Sequence, residues 1–440
     1  MGPDGQDRWS LVAVAGMLSF VAMLDMNIVN VALADLSRDL QVSTETAQWV
    51  ALGYQLPLVA LLLPAGRWLD QVGVRPALLS AVAGFALCSA LAAAAPGAAW
   101  LIAVRLVQGA CGAALFVLMP VLAARSVRPE LRGRAMSVPA TLGPLGAVTG
   151  PAAGGFLLDH LGWRAIFLVK LPVCLAAWLL ARRNAPGGGR LRRPDPASLL
   201  DAALIGGAVA ALLLALSLSP ASPAWFLLAL PAVPLAVLWL RTPGGGPVLA
   251  VLREGGTYGV HGAVLCVAAG FGAVHYLLAL HLQRDEAVSA TATGLTALCF
   301  PLAMGVAGPL GGRLADRVGA RRTAALGAAV TALGLLLLVP LDGTRSLPDV
   351  AGRLALAGAG MGLYGGPVQA LVMTSAPPQR AATAGSAVQL ARSLGFTLGP
   401  ALGAAAWGLG GLRAGLGLAA ACACLAVPLI ARAGRPAPTA

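Results

Sequence analysis

Charge is scarce in this chain. Only 11% of its 440 residues are Asp, Glu, Lys or Arg, 58% are hydrophobic, and mean hydropathy is +0.82. So little polar surface cannot cover a soluble domain, and the composition points into a bilayer. Lysine is nearly missing, with Lys170 the only one. The seven cysteines stand singly apart from Cys422 and Cys424, and none has histidines at ligand spacing, so neither a disulfide framework nor a metal site is expected. No Gly-x-x-x-x-Gly-Lys-Ser/Thr string is present to hold ATP. The apolar runs contain no nucleophile–base pair, so neither an enzyme nor a cofactor is expected. Aromatic residues, at 5%, leave few stacking surfaces. The formal charge of +13 lacks a soluble face on which to bind nucleic acid, and no such partner is expected.

What the chain has in quantity is apolar sequence, with 56 glycines and 31 prolines of the kind that let helices pack closely in lipid. Windows long enough to cross a bilayer fall near 11–33, 47–65, 77–95, 98–124, 135–158, 163–181, 199–218, 224–240, 258–282, 293–314, 324–341, 350–372, 381–402 and 412–431. The expected fold is therefore an all-α integral membrane protein with fourteen transmembrane helices. Arg8 ahead of the first run, with Ala32-Leu33-Ala34 behind it, imitates a signal peptide. That run is too long and carries Asp25, so it is expected to be a retained span. With the N-terminus inside, cytoplasmic loops and termini hold 21 arginines against 6 in the outer loops. Both termini are thus expected in the cytoplasm. Arginine in place of lysine, with abundant Ala and Gly, fits a high-GC bacterium, whose inner membrane is the expected location of a monomer.

The early and late spans are related. Gly66-x-x-x-Asp70-x-x-Gly73-x-Arg75 returns as Gly312-x-x-x-Asp316-x-x-Gly319-x-Arg321, displaced by 246 residues. Arg134 maps onto Arg380 at that offset, and Gly150-Pro151 onto Gly399-Pro400 at 249. A repeat that keeps its topology describes two parallel six-helix halves around one cavity. The expected division is 1–182 for the first half, 183–257 for a cytoplasmic linker with two extra central helices, and 258–440 for the second half.

Asp25 alone among the 17 Asp and Glu falls well inside a window. A charge there costs roughly 2.5–3.5 kcal/mol on insertion scales, which calls for a functional account. Burial favours a neutral carboxyl and a nearby cation favours a charged one, the competition that a proton-coupled cycle needs. Asn27 and Asn30 lie about 140–160° around the helix from Asp25, so protein or water encloses that helix. On the fourth window, Arg105, Gln108, Gly109 and Gly112 share one face, the arginine aimed at a wet cavity or a buried partner. The fifth reads Gly146-x-x-x-Gly150-Pro151-x-x-Gly154-Gly155, and Gly143, Gly146, Gly150 and Gly154 form a stripe for close helix contact, with a bend at Pro151. The duplicated loops read as tight cytoplasmic turns whose aspartates pair with a helix N-terminus or an arginine, a contact able to act as a gate. Plainer readings stand beside these: solvated turns, a structural arginine, simple helix packing and a structural carboxylate.

The loop at 66–75 resembles the signature loop of the major facilitator superfamily. The string Leu101-x-x-x-Arg105-x-x-Gln108-Gly109-x-x-Gly112-Ala113 is similar to one that its proton-coupled members carry, where it is implicated in proton transfer. The glycine-proline string resembles the antiporter motif of its exporters. With Leu24-Asp25-x-x-Ile28-Val29-Asn30-Val31-Ala32-Leu33, Trp163-Arg164-x-Ile166-Phe167-Leu168 and the window count, the chain resembles the fourteen-span drug/proton antiporters over nearly its whole length. It departs where Pro76 replaces the loop's second basic residue, where Asn27 stands for threonine, and where Lys170 stands for asparagine ahead of Leu171-Pro172. Lys170 is expected to snorkel to the outer surface. His275 reads as a packing histidine, and Arg392, placed near the cytoplasmic side with Gln389, is left without a role. The resemblance implies a proton-coupled exporter of amphipathic small molecules (drugs, antibiotics or a natural product) working by alternating access, with Asp25 taking the proton and Arg105 tuning it. Its partners would be the bilayer, the cargo and protons. An uptake carrier on the same fold is the alternative. A single deep acid suits neutral or monovalent cationic cargo.

Overall fold

A computed structural model describes residues 7–187, 191, 196–218, 223–242, 245–254, 257–340 and 346–432. The side chains of Asn30 and Pro151, and residues 188–190 and 192–195 of the expected linker, lie outside the described ones. Among the described residues every regular element is a helix. The chain begins with α1 (Trp9–Val31), α2 (Leu33–Asp39), α3 (Thr44–Ala60) and α4 (Leu62–Gln71). There follow α5 (Val74–Ala93), α6 (Ala98–Arg125), α7 (Arg132–Leu161), α8 (Ala165–Leu168) and α9 (Leu171–Asn184). The middle holds α10 (Pro196–Leu218), α11 (Ala232–Leu240) and α12 (Gly245–Glu254). The chain ends with α13 (Tyr258–Leu280), α14 (Ala290–Val318), α15 (Ala320–Leu338), α16 (Leu347–Ser375) and α17 (Ala381–Arg432). Among the described residues, eight helices are long and apolar enough to cross a membrane, nine if the α3–α4 pair counts as one.

Two breaks have local causes. The α3–α4 pair bends by 50°, where Pro64 cannot donate to the carbonyl four residues back and its ring crowds that turn. The sixth window, by contrast, runs on as one span, Ala165–Asn184, with helical backbone angles at Val169 and Lys170 and Pro172 in the first turn of α9. The arms of α17 part at Gly410 and Gly411, and Gly411 has φ +70°, a backbone that side chains resist.

Packing follows from apolar residues on every side of the helices. α1 lies against α7, α6, α9 and α3, while α13 lies against α17, and α14 against α16 and α7. At one end of the bundle, Trp163 Nε1 donates to Asp39 Oδ2 at 2.6 Å and Arg164 adds a 3.2 Å contact. The indole N–H, with the guanidinium beside it, holds the Asp39 carboxyl below its ordinary range. The Trp163-Arg164 string thus ties the start of α8 to the end of α2.

Candidate functional site

Asp25 is wholly buried, and both of its oxygens are engaged. Arg105 Nη1 donates to Oδ2 at 2.7 Å, and Lys170 Nζ pairs with Oδ1. Arg105 and Lys170 are 1% and 0% exposed, so bulk solvent does not reach this triad. Arg105 also donates to the Val50 carbonyl at 3.0 Å and to Gln108 Oε1 at 2.8 Å. Gln108 in turn donates to Ser89 Oγ at 2.8 Å. Aromatic rings complete the shell: the Arg105 guanidinium lies 4.4 Å from the Tyr54 ring centre and the Lys170 ammonium 5.0 Å from that of Phe167. The expected snorkelling of Lys170 is therefore corrected. The buried Asp25 carboxylate and the Phe167 ring hold its ammonium inside.

Glycines set the distances. A Cβ on Gly109 would stand 2.3 Å from the Tyr54 carbonyl oxygen, and one on Gly112 3.0 Å from the Tyr54 hydroxyl, so both bring α6 onto α3. The α7 stripe lies directly on α1: a Cβ on Gly146 would reach the Phe20 carbonyl oxygen at 2.2 Å, on Gly150 Asn27 Cβ at 3.1 Å, and on Gly154 Ile28 Cγ1 at 3.0 Å. Asn27 belongs to this contact, and its amide donates to the Met23 carbonyl at 2.7 Å. Gly155, expected in the same motif, has nothing within 4 Å of its Cβ position. A second stripe that sequence reading missed, Gly395, Gly399 and Gly403, packs α17 on α13 in the same way. Adding 249 to Gly146, Gly150 and Gly154 gives these three positions, so the signal was present. Gly146→Ala is expected to cost about 1–3 kcal/mol through overpacking. Gly155→Ala should be neutral or gain up to about 1 kcal/mol. Thermal melts of the purified proteins check the pair.

The duplicated loops cross. Asp70, at the end of α4, accepts from the Ala382 and Thr383 backbone N–H groups at 2.9 and 3.0 Å and from the Thr383 hydroxyl at 2.6 Å. Asp316, near the end of α14, accepts from the Gly133 and Arg134 N–H groups at 2.9 and 3.3 Å. Each carboxylate thus caps the positive end of a distant helix, α17 or α7. Gly66 and Gly312 are not turn glycines, which corrects that expectation. A Cβ on Gly66 would strike Ser386 Oγ at 2.3 Å, and one on Gly312 the Gly133 carbonyl at 2.8 Å. Gly73, at φ −67°, needs no special backbone freedom, whereas Gly319, at φ +97°, does. Arg75 donates to the Arg182 carbonyl at 2.8 Å, and Arg321 lies half-buried in the first turn of α15. Asp25 is not the sole buried acid, since Asp201, near the start of α10, is 2% exposed and pairs with Arg67.

Eight helices, α1, α3, α6, α7, α13, α14, α16 and α17, surround a central cavity with about 1090 Å³ of empty volume, the part open to solvent included. Met23 and Met26 of α1 line it, whereas Asp25 points away into the triad. Arg392 lines this cavity with Gln369, Gln389 and Tyr364, which places it at the centre of the bundle. His275 packs with Phe271 and Phe300, its Nδ1 3.0 Å from the Phe271 carbonyl oxygen. Phe271 stands where the 246-residue offset would put a second Asp25, so rings fill that place instead of charge.

The Major Facilitator Superfamily profile matches residues 15–202 and 260–440. The chain is 32% identical to the multidrug resistance protein Stp of Mycobacterium tuberculosis, across 87% of this chain and 73% of that protein. It is 30% identical to the probable actinorhodin transporter of Streptomyces coelicolor, across 94% and 76%. Identity to the methyl viologen resistance protein SmvA of Salmonella typhimurium is 29%, across 90% and 81%. In fold it is similar to the human organic anion transporter MFSD10, with a TM-score of 0.68 at 18% identity across 98% and 100% of the two chains. The proton:xylose symporter XylE gives 0.65 at 15% across 96% and 94%. The chain belongs to the Major Facilitator Superfamily: it is a multi-pass membrane transporter and not an enzyme.

Proposed function

We propose that this transporter is a fourteen-span, proton-coupled exporter of amphipathic small molecules, acting as a monomer in the inner membrane of a bacterium with both termini in the cytoplasm. The fourteen spans would be the nine above, then α7, α10, α16 and the segment ending in α11, with the two arms of α17 counted separately. Residues 1–182 and 258–440 would form the two halves, with 183–257 between them.

The observation that carries the coupling is the buried triad on α1, a helix whose other face lines the cavity. With all three groups ionised the triad holds one excess positive charge in a site closed to bulk solvent. Loss of the Lys170 proton leaves Asp25 and Arg105 as a matched pair. A proton entering or leaving therefore changes the grip on α1, and Met23 and Met26 move with it. In this reading Asp25 organises the site, Arg105 fixes it, and Lys170 exchanges the proton. Each proton moving inward supplies about 1.4 kcal/mol per pH unit and about 2.3 kcal/mol per 100 mV. The glycine stripes give α1 and α13 smooth contacts along which to rock, and the Asp70 and Asp316 caps would close the cytoplasmic side.

The names of the resistance relatives and the glycine-proline string of α7 support outward transport. In a host stripped of its own efflux pumps, the wild-type chain is expected to lower susceptibility to part of a drug panel. Asp25→Asn at the same membrane level should not. Unimpaired protection by that variant sinks the proposal, and cargo accumulation driven into right-side-out vesicles would favour uptake.

A further inference from the structure

The geometry points to a cargo class: aromatic, amphipathic molecules carrying one acidic group, with the anion held by Arg392, Tyr364 and Gln369 and the ring system against methionine. This deepens the exporter reading and rests on it for the direction of transport alone. Among the described residues that line the cavity, Arg392 is the only charged one and none is Asp or Glu. The carboxylate of Asp25 cannot serve an incoming cation, because it is 0% exposed and two cations occupy it. A cation entering the cavity meets positive charge alone, so of the expected neutral or monovalent cationic cargo the cationic class is disfavoured.

The polar groups around Arg392 are underused. Its hydrogen bond to Gln369 Oε1 spans 3.5 Å, long for a guanidinium that offers five N–H donors. The Tyr364 side chain is 2% exposed and its hydroxyl finds no partner among the described residues. A buried hydroxyl without a partner is costly, and a carboxylate, sulfonate or phenolate between Tyr364 and Arg392 would satisfy both. The rest of the wall suits a flat apolar body of variable outline. Met23, Met26, Met119, Met136, Met304 and Met361 line the cavity, six of the nine methionines in the chain. Their unbranched thioethers adapt in shape and make favourable contacts with ring edges.

Two dyes with one ring system isolate the charge: 1-anilinonaphthalene-8-sulfonate and its uncharged parent, N-phenyl-1-naphthylamine. Binding is measured on the full chain in lipid nanodiscs, with empty nanodiscs subtracted. The ratio of the two Kd values within one sample does not depend on the fraction of folded molecules. The sulfonate is expected to bind the wild type roughly tenfold or more tightly than the parent. Arg392→Gln should collapse that ratio towards one, while Arg392→Lys should keep most of it. Equal binding of both dyes by the wild type, or an unchanged ratio in Arg392→Gln, overturns the assignment. Tighter binding of the cation ethidium than of the sulfonate does so as well. Energised inverted vesicles that accumulate neither dye, with the ratio intact, would remove the exporter reading and leave this cargo class standing.

Discussion

Asp25→Asn is expected to lower the stability of the purified protein by about 3–5 kcal/mol, the loss that follows when one partner of a buried ion cluster is removed. Arg105 and Lys170 would then face each other at 1% and 0% exposure with no anion between them. Lys170→Met, by contrast, leaves Asp25 and Arg105 with matched charges and should cost less. Adding Lys170→Met to Asp25→Asn should recover part of the loss, with a coupling of about 0.5–3 kcal/mol in the double-mutant cycle. Melting of all four proteins in one detergent reads the cycle. An Asp25→Asn protein that melts with the wild type, or singles that simply add, would mean that the three groups do not act as one charged cluster.

Loss of the crossed caps should have the second largest effect, on conformation more than on stability. Asp70→Ala removes an acceptor shared by three donors, and Asp316→Ala one shared by two. Capping substitutions cost about 0.5–2 kcal/mol each, so the double variant should shift the closed–open balance of the loop end by about 1–4 kcal/mol, or about 5- to 700-fold. Spin labels at the exposed Gln71 and Gln379 report it as a growing long-distance population. Asp70→Ala should shift more than Asp316→Ala, because it loses more bonds. A distance distribution unchanged in the double variant would leave the caps without a gating role.

The sequence exposes features that break an apolar background. Asp25 and Arg105 stand out because each is a charge inside a spanning window, and helical spacing alone puts Gln108, Gly109 and Gly112 with the arginine. The α7 stripe and the repeated loops were equally legible, since glycine spacing survives without coordinates. Lys170 reads as snorkelling from its place along the chain alone, because nothing in the sequence shows that its side chain meets Asp25, 145 residues away. Gly66 and Gly312 read as turn residues because a glycine at the edge of a window signals a turn as readily as it signals a close neighbour from a distant helix. The methionine wall had no signal at all. Its six side chains come from five helices, and a methionine in an apolar run carries no direction.

Proton release on cargo binding tests the central claim most directly. Whichever naphthalene dye binds more tightly is added at saturation to lightly buffered purified protein, and a pH indicator follows the solution. The wild type is predicted to release protons, while Lys170→Met and Asp25→Asn proteins that still bind the dye release none. Undiminished release from Lys170→Met would contradict the assignment of the exchanged proton to the triad.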